Sequence, residues 1–145
     1  MLPFQEYSTS PQVSTRRQTV LVADDDAKDL NFITLLLQRM GYSVEAFGSH
    51  SEAESRLENG YFDLVILSQN SRALEARLLT RFALGRNRFT PVVVLARVLE
   101  IEFYIEAMQL GAADYVEKPL SPVELQRLVA KYCKPQEDDL SSLDS

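Results

Sequence analysis

One cysteine, Cys133, is the entire thiol content of the chain, which excludes an internal disulfide and any cysteine-rich metal cluster. It falls at the end of a helical segment, and no role is expected of it. The only histidine, His50, is read as a residue at a helix start. Long apolar runs are missing too. None approaches the roughly 20 residues that a membrane-spanning helix needs. Met1 to Arg17 has its basic residues at the end and lacks an apolar centre, so it does not read as a secretory leader, and the cytoplasm is the expected compartment. Basic residues are outnumbered 21 to 15, giving a net charge of −6 and a pI near 4.8. That balance disfavours direct nucleic-acid binding, which normally needs a basic patch. It points to a protein partner.

What is present suits one soluble domain: 145 residues, 46% of them apolar and 25% charged. Met1 to Arg17 mixes Pro, Ser, Thr and Gln without periodicity, and Lys134 to Ser145 is polar and acidic. Residues 1–17 and 134–145 therefore read as flexible tails around a domain at 18–133. Thr19 to Ala23 is a β-rich run, after which Leu30, Ile33, Leu36, Leu37 and Met40 recur at helical spacing until Gly41. Tyr42 to Phe47 alternates as a second strand. Ser51 to Asn59 reads as a polar helix, with Gly60 suited to a left-handed end. Phe62 to Leu67 is almost wholly apolar, as a parallel strand covered on both faces should be. Ala73 to Leu84 reads as the third helix, Pro91 to Leu95 as the fourth strand and Glu100 to Leu110 as the fourth helix. Asp114 to Val116 is a short fifth strand. The last helix has Ser121 as its cap, Pro122 in its first turn and Glu124 as the capping-box acid.

Five strands alternating with five helices imply a doubly wound parallel sheet, because each parallel connection must cross back over the sheet. The expected architecture is flavodoxin-like. In such sheets the chemistry sits beyond the carboxyl ends of the strands. Those ends are Asp24 and Asp25, Ser68, Ala96 and Arg97, and Lys118, and they should converge in one shallow pocket.

Between about Thr19 and Tyr132 the chain resembles a response-regulator receiver domain of the CheY-like type. The resemblance rests on Val20 to Asp26, on the strand Phe62 to Leu67, on Pro91 to Leu95, on Gly111 to Tyr115 and on Lys118-Pro119-Leu120. It implies a part in two-component phosphorelay signalling in bacteria. In the family, an acid pair matching Asp24 and Asp25 holds magnesium, and an aspartate where Ser68 stands accepts the phosphoryl group. A Thr or Ser where Ala96 stands bonds the phosphate, and a lysine matching Lys118 pairs with it. The acceptor and the hydroxyl residue are absent here, and Gln69-Asn70-Ser71 departs from the family's proline-glycine loop.

A carboxylate is ionised at neutral pH and can attack a phosphodonor directly, whereas a serine hydroxyl needs a base. Ser68 has no obvious base in the sequence. Magnesium, which wants octahedral oxygen ligands, loses one to the missing aspartate, so Asp24 and Asp25 should bind it weakly and no cofactor is required. The expectation is an atypical pseudo-receiver, not an enzyme. It would act independently of phosphorylation, with Lys118, assisted by Arg97, balancing the acid pair in a permanent salt bridge. Lys118-Pro119 is read as preserving the loop, with a cis peptide as one possibility. The alternative is a phosphotransfer-competent receiver using Ser68 or another acceptor with magnesium. A third reading is a sensor whose vacated pocket binds a small ligand.

The resemblance places dimerisation and partner contact on the fourth helix, fifth strand and fifth helix. Tyr115 matches the family's aromatic switch residue. Phe103 and Tyr104 are adjacent on one helix and cannot both face the core, so one aromatic should be exposed. The partner expected there is a histidine kinase, an effector, another receiver or a second copy of the chain.

Overall fold

A computed structural model describes residues 17–70, 73–86 and 89–133. Apart from Arg17, the two expected tails lie outside the described residues, as does Ser71 of the remodelled loop. Five strands, β1 (Thr19–Ala23), β2 (Ser43–Phe47), β3 (Leu64–Gln69), β4 (Val92–Ala96) and β5 (Asp114–Glu117), alternate with five helices. The helices are α1 (Ala27–Arg39), α2 (His50–Asn59), α3 (Ala73–Arg86), α4 (Ile101–Leu110) and α5 (Pro122–Tyr132). All strands are parallel, in the order β2-β1-β3-β4-β5. The order reverses between β1 and β3, which opens a crevice at their carboxyl ends.

The central strands are apolar because both of their faces are covered. On one side Val20, Val22, Ile66 and Leu95 pack with Ile33 and Leu37 of α1 and Leu125 and Val129 of α5. On the other, Leu21, Val65 and Leu67 pack with Ala53 and Leu57 of α2 and Leu79 of α3. A smaller cluster of Val94, Ala96, Ala107, Ala112 and Tyr115 seats α4.

Helix ends follow their cap chemistry. The Asp26 side chain accepts from the N–H groups of Lys28 and Asp29, and Ser121 and Glu124 form a reciprocal capping box. Gly111 takes the left-handed conformation that ends α4. Gly60 does not; its backbone is extended, so α2 ends without a left-handed residue. β3 is displaced from its expected bounds and runs through Ser68 to Gln69, because Ser68 pairs with Leu95 and Gln69 with Ala96. Asp63 closes the start of that strand instead. Its side chain accepts from the Thr19 N–H and its own N–H donates to the Thr19 carbonyl.

Candidate functional site

The site begins with the turn after β1. Asp26 caps α1, and this brings Asp24, Asp25 and, one helical turn on, Asp29 to the crevice. Asp24 is 1% exposed, and its carboxylate accepts four hydrogen bonds. Oδ1 receives the Asp26 N–H at 2.9 Å and Asn70 Nδ2 at 2.7 Å. Oδ2 receives Ser68 Oγ and Lys118 Nζ, each at 2.8 Å. Those four donors use the full accepting capacity of the group.

Lys118 is saturated in the same way. Its Nζ donates to Asp24 Oδ2 at 2.8 Å, to Asp29 Oδ2 at 2.8 Å and to Asn70 Oδ1 at 2.9 Å, the three bonds an ammonium can make. Asn70 is therefore the hub: its amide nitrogen also reaches Asp25 Oδ1 at 2.8 Å, bridging the two acids. The peptide bond from Lys118 to Pro119 is cis. The salt bridge between Asp24 and Lys118 is formed, with both side chains buried.

Arg97 takes a different place from the one its position in the chain suggested. Its half-exposed guanidinium pairs with Asp26 and, at 3.4 Å, with Asp29 rather than with Asp24 or Asp25. Arg97 stands at the exposed mouth of the pocket, lining the same cavity as Lys118 and sharing Asp29 Oδ2 with it. The N–H of Asp29 and then the charge of Arg97 hold the Asp26 carboxyl below its ordinary value. Ala96 is buried against Tyr115; its side chain offers no polar atom, and its carbonyl accepts the Lys118 N–H at 2.7 Å.

Ser68 is fully buried. The carboxylate beside it is Asp24, so a neighbouring base exists that the linear sequence did not suggest. It is a poor base, because Lys118 donates to the same Oδ2 that would have to take the proton. His50 Nε2 lies 3.4 Å from the Ser68 carbonyl oxygen and not against its hydroxyl. The donor set also fits a magnesium ion badly. The ion needs free oxygen lone pairs in octahedral array, whereas those of Asp24 are taken and Ser68 donates to it. Among the described residues no three His, Cys, Asp or Glu side chains converge as a metal-binding group.

Tyr115 is 4% exposed, with its hydroxyl donating to Gln69 Oε1 at 2.9 Å. Tyr104, 37% exposed, meets it edge to face with ring centroids 5.7 Å apart. Phe103 is half-buried beneath Arg77, whose guanidinium lies 4.6 Å from the ring centroid. Sequence reasoning missed Asp29, Asn70 and Gln69. Signals existed for the first two, since Asp29 lies in the first turn of α1, three residues past its N-cap Asp26, and Asn70 shares the face of Ser68 by the two-residue period of a strand.

Residues 20–130 match the family described as Response regulator receiver domain. The chain belongs to that family. It is 29% identical over 112 residues to the transcriptional regulatory protein ZraR of Escherichia coli (strain K12), covering 77% of this chain and 25% of that protein. It is 34% identical over 114 residues to the alginate biosynthesis transcriptional regulatory protein AlgB of Pseudomonas putida, covering 77% of this chain and 25% of that one. The chain thus spans about a quarter of the length of these relatives. Among solved structures, a CheY-like receiver domain protein from Methanospirillum hungatei JF-1 superposes with a TM-score of 0.78 at 22% identity, over 86% of this chain and 99% of that one. That likeness establishes the fold. No described helix is long and apolar enough to cross a membrane.

Proposed function

We propose that this receiver domain works without aspartyl phosphorylation and signals through protein contacts rather than by turnover. The observation that carries the reading is the saturated pocket. Ser68 stands where the family's acceptor would be, and the acid pair is neutralised from within by Lys118 and Asn70. A phosphoryl group or magnesium ion would have to displace these bonds. Magnesium is accordingly not required, and Asp24 and Asp25 bind it weakly.

The output surface in this reading is α4, β5 and α5, with Tyr104 exposed beside Tyr115. The partner is a histidine kinase, an effector, another receiver or a second copy of the chain, met in the cytoplasm. Relatives named as transcriptional regulators favour an output that ends in transcription, reached by protein contact and not by DNA binding at this acidic domain. Lys118 and Asn70 occupy the acids at the acceptor position, so the ligand-sensor reading would have to rest on the neighbouring cavity of about 310 Å³ lined by Asp29, Arg97 and Lys118.

One observation favours a second reading, the hydrogen bond from Ser68 Oγ to Asp24 Oδ2. It would let Ser68 act as a phosphoryl acceptor with Asp24 as base. The test of the main reading is a titration with magnesium and beryllium fluoride, followed by the amide NMR signals of residues 24–26, 68–70 and 118. No saturable shift at cellular magnesium concentrations is expected; a saturable shift in these residues overturns it.

A further inference from the structure

Gln69 is the one polar side chain at the end of β3 that the acidic pocket does not use. Because side chains alternate along a strand, it leaves the sheet on the face opposite Ser68 and Asn70. It is 5% exposed and accepts the Tyr115 hydroxyl at 2.9 Å, a bond that spans β4. The Tyr115 ring occupies a niche lined by the small residues Ala96, Ala107 and Ala112. Glu100, the N-cap of α4, stands close enough for its charge to act on the same phenol. Above the ring, Tyr104 packs edge-on and continues to the surface.

From this chain of contacts we infer that Gln69 is a built-in latch. It holds Tyr115 in its niche and thereby fixes the start of α4 and the exposed Tyr104 in one arrangement, with no signal from the acidic pocket needed. The physical basis is that a buried phenol hydroxyl and a buried amide oxygen each lose a partner if the ring swings out. Ala96 contributes by omission, since a larger side chain there would narrow the niche. This deepens the phosphorylation-independent reading by naming what holds its contact face. Its test involves no phosphodonor, so either claim can fail alone.

The test is tyrosine nitration by tetranitromethane mapped by peptide mass. In the wild type Tyr61 and Tyr104 react, while Tyr115 and the buried Tyr42 do not. Gln69→Leu should raise the reaction rate of Tyr115 about tenfold, the order set by one net hydrogen bond, with Tyr42 still protected. Tyr115 as slow as in the wild type overturns the latch. Should Tyr42 also react, the variant has unfolded, and Tyr115→Phe then decides by amide hydrogen exchange. Faster exchange across residues 101–110 with β1 unchanged supports the latch; unchanged exchange in α4 overturns it.

Discussion

Replacing Lys118 by methionine removes the only cation among the described residues in contact with Asp24 while keeping a side chain of similar length. Both partners are buried and lie 2.8 Å apart. At an effective dielectric near 20 their attraction is about 6 kcal/mol before desolvation, and breaking such a buried pair from one side costs about 3–5 kcal/mol. Asp24 keeps three donors, from Ser68, Asn70 and the Asp26 N–H, which sets the expected loss at the lower end, about 3 kcal/mol. A domain of this size loses about 3 °C in melting temperature per kcal/mol, so Lys118→Met should melt roughly 10 °C lower by calorimetry or circular dichroism. Adding Asp24→Asn removes the stranded charge and should recover most of the loss, because a pair deleted from both sides is often nearly neutral. A single variant that melts within about 2 °C of the wild type, or a double variant no better than the single, refutes the reasoning.

Other outcomes follow from the same geometry. Asn70→Ala removes the bridge between Asp24 and Asp25 and should lower stability by about 1.5–3 kcal/mol, read as a fall in the urea midpoint at unchanged slope. The Cys133 thiol is pushed up to about 12, first by burial and then by the charge of Asp63. A thiol reagent at mildly alkaline pH should therefore label it only on unfolding. The unfolded thiol loses its proton near 8.5 and the folded one only near 12, so stability should fall as pH rises between those values. The Arg77 and Arg81 side chains hold the Glu106 carboxyl below its ordinary value, Arg77 foremost. Its contribution is complete above the unfolded value of about 4.3 and is lost as pH falls through the lowered folded one. The stability gap between wild type and Glu106→Gln should close on acidification, as urea melts at neutral and acid pH would show.

Sequence periodicity located all ten elements because each strand and helix carries its own local pattern, from the valines of β4 to the capping box of Ser121 and Glu124. β3 moved and runs on to Gln69 because Leu95 and Ala96, remote in sequence, pair with its end. α2 ends at Asn59 as expected, with Gly60 in extended rather than left-handed backbone. At the site, strand-end logic brought Asp24, Asp25, Ser68 and Lys118 together. It did not reveal that Asn70 bridges the acids, that Asp29 shares Lys118 or that Gln69 receives Tyr115. Each of those is a side-chain contact across more than 40 positions of chain; local spacing could place Asp29 and Asn70 near the site but not name the partners they meet. Arg97 illustrates the same limit, since adjacency to Ala96 did not disclose that its guanidinium turns out to Asp26.

Intact mass after incubation with acetyl phosphate and magnesium decides whether the pocket takes a phosphoryl group. Ser68→Ala and a sample without metal run in parallel. An unmodified mass is expected in every sample. A single phosphoryl adduct that needs magnesium would contradict it, and loss of that adduct in Ser68→Ala would assign Ser68 as the acceptor.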